Sequence, residues 1–419
     1  MLSRVSTILE EIKRDCQGRF GPVLFISLMG MMLLASYAIA RPGIESLFLK
    51  EYGAEGLPAV WVAVAIAALI VVRVYNGFAG RYDFRRLYGG ASFVFSLIFI
   101  LLMVAYQYDV PHSVFALYVW KDIYIVVLIE IFWSLANVLF ETKSARWIYG
   151  IFLLAGSFGT KVALKINKIF LIDLLGTEGT LWIVLPLLML STLMLKFVRA
   201  HMQAPLPAHQ ASRQVFKEGF DILKRSSYLG FMLLLIALTQ VAITLIDYQF
   251  NAVVEQAYPL TNERNKVISD IYDTIETCSL LLQALTGFVL RWLGVGRTLF
   301  AIPLLLGSAV VLFALVPKYT FAALAKVASK AFDYSIFRAA KEMLYIPLSY
   351  REKTQGKAFV DMLTYRVAKG AVSALLLFLV YLDAGGVISF LCLGVIVLWL
   401  VVTRLIVRRY QAITLKQSS

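Results

Sequence analysis

Nine basic and nine acidic side chains interrupt stretches of this 419-residue chain that are otherwise apolar enough to lie in a bilayer. The cations are Arg73, Lys121, Lys161, Lys326, Lys330, Arg338, Lys341, Arg366 and Lys369; the carboxylates are Asp122, Glu130, Asp247, Asp270, Asp273, Glu276, Asp333, Glu342 and Asp361. Each such charge is expensive at membrane depth unless it faces protein or water. A water-filled cavity for a hydrophilic solute accounts for many of them together. Arginine forks and lysine point charges suit an anion, above all a phosphate. The carboxylates suit proton relay or the neutralisation of a nearby lysine. Equal numbers leave two readings open: pairs such as Lys121–Asp122 and Lys330–Asp333 either lock helices together or serve a solute.

Helical spacing gathers these groups on faces. Gln240, Thr244, Asp247, Tyr248 and Asn251 follow i, i+4, i+7, i+8 and i+11. Lys326, Lys330, Asp333, Phe337 and Lys341 form a second stripe, flanked by Arg338, Glu342 and Tyr345. Asp361, Tyr365 and Lys369 make a third with Arg366 beside them, and Glu130, Trp133 and Asn137 a fourth, a few turns from Lys121 and Asp122. Asp270, Asp273 and Glu276 share a face near a span end, where a solvated rim and a proton or substrate site both remain open. Lys165, Lys168, Lys266 and Lys318 also lie near span ends and read as side chains that snorkel to the headgroups. Trp133 and the other aromatics read as core and interfacial belt.

Other chemistries find little support. Cys16, Cys278 and Cys392 are too few and too scattered for a disulfide framework or a thiolate metal site. The three histidines, His112, His201 and His209, fall in loops, no His/Glu metal spacing occurs, and no nucleophile sits beside a base. Neither an enzyme nor a metal or cofactor is expected.

The elements that must position the charges follow from composition. The chain is 60% hydrophobic and only 16% charged, which excludes a soluble globular domain and a disordered chain. Apolar runs of spanning length fall near 23–41, 57–76, 88–108, 114–139, 147–171, 181–198, 229–250, 266–290, 298–317, 319–346, 358–382 and 386–407. Those at 266–290 and 319–346 carry the most charge and are the weakest by hydropathy. Of the 40 basic residues, 24 lie in alternate loops and termini and seven on the opposite side, which places both termini in the cytoplasm and explains most of the net charge of +14 without a nucleic-acid partner. No signal peptide is expected, so the first helix directs insertion. The expected layout is a cytoplasmic segment at 1–22, a six-helix bundle at 23–198, a cytoplasmic linker at 199–228, a second six-helix bundle at 229–408 and a cytoplasmic tail at 409–419. Gly77-Phe78-Ala79-Gly80-Arg81 recurs 210 residues later as Gly287-Phe288-Val289-Leu290-Arg291, the trace that two parallel repeats would leave. This all-α polytopic membrane protein, twelve transmembrane helices in two six-helix bundles, resembles the major facilitator superfamily. Gly77, Arg85 and Arg86 fit that superfamily's second-loop motif, with Arg81 in place of its Asp. The resemblance implies a central path lined by the first, fourth, seventh and tenth helices.

Finer motifs narrow the family. Asp122, then Trp133-Ser-Leu-Ala-Asn137, Ser144-Ala-Arg146-Trp-Ile-Tyr149-Gly150 and Gly156-Ser-Phe-Gly159, resemble the ATP/ADP translocase (nucleotide exchange transporter) family. So do Phe332-Asp-Tyr-Ser335-Ile-Phe337-Arg-Ala-Ala-Lys341-Glu342-Met-Leu-Tyr345-Ile-Pro347-Leu, Lys357-Ala-Phe-Val-Asp361 and Arg366-Val-Ala-Lys369. The resemblance implies exchange of ATP for ADP, or proton-coupled nucleotide uptake, by alternating access in a bacterial inner membrane. It carries the family's second-helix basic residue onto Arg73 and its fourth-helix carboxylate onto Asp122, where the family usually has Glu. Its Lys-Glu and Arg-x-x-Lys pairs fall on Lys341/Glu342 and Arg366/Lys369. Gly156 to Lys161 has the wrong spacing for a phosphate-binding loop, so nucleotide is expected as cargo and not as fuel.

The expected substrate-binding residues are therefore Arg73, Lys121, Lys161, Arg338, Lys341, Arg366, Lys369, Tyr345 and Asn137. Asp122, Glu130, Asp247, Glu342 and Asp361 are the expected coupling or gating carboxylates. The partners are an anionic small molecule and the lipid bilayer, and the chain is expected to act as a monomer. The alternative is a proton-coupled carrier of another anionic metabolite or a lipid-linked phosphate.

Overall fold

The computed structural model describes residues 20–79, 82–140, 142–200, 221–349 and 352–418. Among them there is no strand, and each of the twelve predicted spans falls on a helix. These are α1 Phe20–Tyr52, α2 Leu57–Ala79, α3 Phe84–Gln107, α4 Ser113–Leu139, α5 Thr142–Ile166 and α6 Val184–Ala200. Then come α7 Ser227–Ala257, the long Thr261–Leu315, α10 Tyr319–Tyr334, α11 Ile336–Leu344, α12 Lys357–Tyr381 and α13 Ile388–Ser418. At 55 residues, Thr261–Leu315 as one rod would run about 80 Å, well beyond a hydrocarbon core of about 30 Å. Gly294 breaks it with φ +75°, a conformation glycine adopts without Cβ strain, into α8 (261–293) and α9 (295–315). By length and composition, eight described helices, Thr261–Leu315 among them, qualify as spans, and α10, at 16 residues, is too short to be one of them.

Three predicted boundaries move. α1 continues eleven residues past 41, with Pro42 inside it, which membrane helices tolerate. The fifth span passes through a π-helical stretch, Asn167–Leu171, into a short helix Ile172–Leu181, where Gly176 has φ +69°. The tenth span is not continuous: Ser335, with φ −125° and ψ −102°, separates α10 from α11.

The chain forms two compact units, one of Met1–Phe48, Ala67–Ala211 and Leu260–Asp273, the other of Leu49–Ile66, Ser212–Pro259 and Thr274–Ser419. In the first, close helix approach rests on small residues, as expected where lipid offers no hydrophobic driving force. A Cβ on Gly159 of α5 would lie 2.5 Å from the Met31 carbonyl oxygen of α1, and one on Gly30 would meet the Phe132 ring at 2.9 Å. Trp120 stacks on Tyr124 at 4.3 Å, and Tyr88 shares a 2.5 Å hydrogen bond with Ser191, whose hydroxyl lies 3.1 Å from the Met29 carbonyl. The start of α3 is capped by Asp83, whose carboxylate accepts from the Arg86 amide at 2.8 Å. In the second unit α7 is the central helix. Tyr228 donates to the Leu344 carbonyl at 2.9 Å, Gln249 donates to Ser389 at 2.5 Å, and Trp399 of α13 meets Phe337 of α11 edge to face at 5.8 Å.

Gly159→Ala drives a methyl group against backbone and is expected to lose about 1–3 kcal/mol of stability. Gly150→Ala, on the same helix with nothing within 4 Å, is expected to gain up to about 1 kcal/mol. Thermal unfolding of the purified proteins in nanodiscs distinguishes the two.

Candidate functional site

In the first unit the intramembrane charges are balanced. The extra turns of α1 place Glu45 one turn beyond Arg41, and its Oε1 lies 3.2 Å from Arg41 Nε and 3.7 Å from Lys121 Nζ. Its Oε2 accepts from the Tyr272 hydroxyl at 2.8 Å, and the Arg41 guanidinium lies 4.0 Å over the Tyr272 ring. Lys121, whose side chain is 1% exposed, also reaches Asp122 at 2.8 Å and sits 3.6 Å over the Tyr118 ring. Two cations thus meet two carboxylates. Farther along, Lys161 pairs with Asp273 at 3.1 Å, Lys168 with Asp270 and Lys266 with Asp173. Lys168 and Lys266 therefore do not simply snorkel; each has a specific carboxylate. Asn262, Asn265, Asn167, Ser269 and Thr177 add hydrogen bonds between the same helices.

In the second unit the balance differs. Asp247 of α7 is shared by two lysines of α10, with Lys326 Nζ at 2.9 Å and Lys330 Nζ at 3.1 Å. Lys330 therefore turns to Asp247 in an ion pair. Lys326 is 2% exposed and lies 5.2 Å from the Phe250 ring centroid. Asp333, just before the Ser335 break, and Lys341, beyond it, are buried, and Arg338 is exposed. Four cations, Lys326, Lys330, Arg338 and Lys341, accompany two carboxylates, Asp247 and Asp333. Glu342 is neutralised separately by Lys357 at 2.5 Å, and the Lys357 ammonium also lies 5.3 Å over the ring of buried Tyr345. Lys369 lies 5.7 Å from the Trp61 ring centroid.

The expected residues divide accordingly. The structure brings Lys121 together with Asp122, Asp247 with α10, and Lys161 with Asp273. Arg73 and Glu130 are exposed, and Asn137, also exposed, accepts from Tyr149 at 2.5 Å. The side chains of Arg366 and Asp361 lie outside the described residues. Thr244 and Asn251, on the expected α7 stripe, donate to carbonyls of their own helix, Gln240 and Asp247, at 2.8 and 2.7 Å. Glu45 was not expected; its i, i+4 spacing from Arg41 is the signal that points to it.

The sequence matches the family described as TLC ATP/ADP transporter over residues 166–324 and 314–410. The chain belongs to the TLC ATP/ADP transporter family. It is 22% identical to ADP,ATP carrier protein 3 of Rickettsia bellii over 90% of each chain. It is 23% identical to ADP,ATP carrier protein 5 of Rickettsia prowazekii, over 84% of this chain and 85% of that one. The fold is similar to that of a mutant of the nucleoside transporter NupG, with a TM-score of 0.72 at 11% identity, covering 92% of this chain and 99% of that one. It is also similar to the POT family transporter PepTSo, with a TM-score of 0.70 at 12% identity over 93% and 98%. A TLC family member is an integral membrane transporter, and family membership sets the class of activity as nucleotide transport across a membrane.

Removing one member of a buried charge network strands the others. Glu45→Ala is expected to cost about 3–5 kcal/mol, with part recovered when Lys121→Met is added. Lys168→Met breaks a pair whose side chains are 40% and 50% exposed and is expected to cost less than about 1 kcal/mol. Unfolding midpoints in nanodiscs test the contrast.

Proposed function

We propose that this TLC family member exchanges nucleotides of the ATP/ADP type by alternating access, and that it meets the phosphates on α10 and α11. The observation that carries the proposal is the surplus of cations there: Lys326, Lys330, Arg338 and Lys341 against Asp247 and Asp333. A surplus of positive charge on a membrane helix, two of its four cations buried, is costly when empty and is relieved by an anion. A nucleotide polyphosphate matches it in sign and in number of charges. Lys369 and Arg366 on α12 extend the same basic character. The balanced groups of the first unit, Lys121 with Asp122 and Glu45, support a structural or gating role there. Proton coupling through Asp122, Glu130 or Asp247 is the second mode, one the family resemblance allows. The proposal places the carrier in a bacterial inner membrane as a monomer with cytoplasmic termini, in keeping with the basic loops. The two-bundle layout at 23–198 and 229–408 is part of the same reading.

Proteoliposomes preloaded with ADP test the proposal through uptake of labelled ATP. Saturable uptake that persists when a protonophore is added, and that falls at least tenfold in a Lys341→Ala protein that remains folded by its thermal unfolding, is the expected outcome. Uptake that requires a pH gradient and no internal nucleotide selects the proton-coupled mode. No nucleotide uptake by folded protein moves the cargo to another anion.

A further inference from the structure

A second basic site lies away from α10 and α11, on the second unit, between the start of α9 and the end of α13. There Arg297, Arg404 and Arg408 line a pocket of about 400 Å³ that has no acidic residue in its wall. All three arginines are exposed, and none has an ion pair among the described residues. Arg404 and Arg408 stand one helical turn apart and so share a face of α13. The floor is apolar: Gly296 lets the two helices close, since a Cβ there would lie 2.6 Å from Val407 Cγ1. Thr403 lines the pocket, is fully buried, and its Oγ1 has no hydrogen-bond partner among the described residues. An unpaired hydroxyl and three unneutralised guanidinium groups thus converge on one cleft.

Depth and surroundings identify the occupant. Trp292, 76% exposed, stands just before α9, and exposed tryptophan marks the membrane–water interface. From the cleft toward the hydrocarbon, Phe300 and Leu304 on α9 and Val397 and Val401 on α13 present exposed apolar surface. Guanidinium groups at headgroup level above an apolar track match a phosphodiester carrying acyl chains. The geometry points to a site for the headgroup of an acidic phospholipid, with Arg297, Arg404 and Arg408 on the phosphate and the acyl chains along α9 and α13. The site binds membrane lipid and takes no part in the translocation path.

Native mass spectrometry of the full-length chain, titrated with phosphatidylglycerol or phosphatidylcholine, tests this. Wild type is expected to bind phosphatidylglycerol selectively. Arg404→Gln is expected to weaken that binding about fivefold and the R297Q/R404Q/R408Q protein roughly a hundredfold, following the contribution of each basic residue near a charged leaflet. Arg409→Gln is the control, since Arg409 is outside the pocket wall, hydrogen-bonds Ser227 at 2.6 Å and covers the Phe231 ring at 4.5 Å; it should bind as wild type. The site is overturned if the single and triple variants retain wild-type selectivity. It is also overturned if inorganic phosphate or soluble glycerol phosphate displaces the lipid, because the cleft would then take a free anion. Nucleotide transport is not the readout, so failure of this proposal leaves the transport reading standing, and the reverse.

Discussion

An ammonium group in hydrocarbon needs an anion within reach, and this requirement governs how the helices of this chain can be placed. Lys121 and Lys326 are nearly inaccessible on their helices. An apolar helix has little to fix its rotation about its own axis, because lipid and neighbouring leucines solvate it equally well. A buried lysine removes that freedom. Lys121 must turn toward Glu45 and Asp122, and Lys326 toward Asp247. The first pairing also fixes α1 along its length, since Glu45 reaches Lys121 only because the helix continues past Pro42. Small residues then allow the approach that the ion pairs demand: Gly159 brings α5 against the Met31 carbonyl of the same α1.

The two units answer this requirement differently, and the difference has a functional sense. In the first, cations and carboxylates match, and aromatic rings cover the remaining faces of Arg41 and Lys121. Such a set is complete in itself and has little to gain from a ligand. In the second, one carboxylate serves two lysines, and Arg338 and Lys341 follow within three turns. Buried pairs seldom add much net stability, because desolvation offsets most of the Coulombic gain. A surplus cation has even less reason to be there for stability alone. Its retention favours a role toward an anion that comes and goes.

Much of this was legible in the amino-acid pattern, because hydropathy and helical period report directly on which faces meet lipid. The all-helical class and the charged faces of α7 and α10 could be read in that way, and each expected span falls on helix. What could not be read were partners distant in sequence. Lys330 and Asp333 are an i, i+3 pair, yet Lys330 pairs with Asp247, 83 positions away. Lys168 and Lys266 looked like ordinary snorkelling residues because Asp270 and Asp173 lie about a hundred positions off. Glu45 escaped notice for a local reason: Arg41 and Pro42 imitate a helix end, and only tertiary contacts show that α1 runs on. The Ser335 break carries no glycine or proline to announce it.

That break is the least expected feature of the backbone and the one most closely tied to the charges. Interrupting a helix at membrane depth frees backbone groups that lipid cannot satisfy, so it persists only where protein or water replaces the lost bonds. Here Ser335 is 4% exposed, its hydroxyl donates to the Ala331 carbonyl at 2.5 Å, and the Tyr334 carbonyl accepts from Gln283 at 3.2 Å. The protein thus compensates a non-helical residue in the middle of its most basic span. An unbroken helix would carry Arg338 and Lys341 on from Asp333 in one fixed register. The break uncouples them: α11 can take its own direction, with Lys341 on its buried side and Arg338 on its exposed side. Discontinuous helices hold ions and charged substrates in other membrane carriers for the same reason, since they set polar groups at angles a continuous helix cannot reach. Backbone break and charge surplus therefore meet at one place, the α10–α11 junction, which is where the proposal sets the anion.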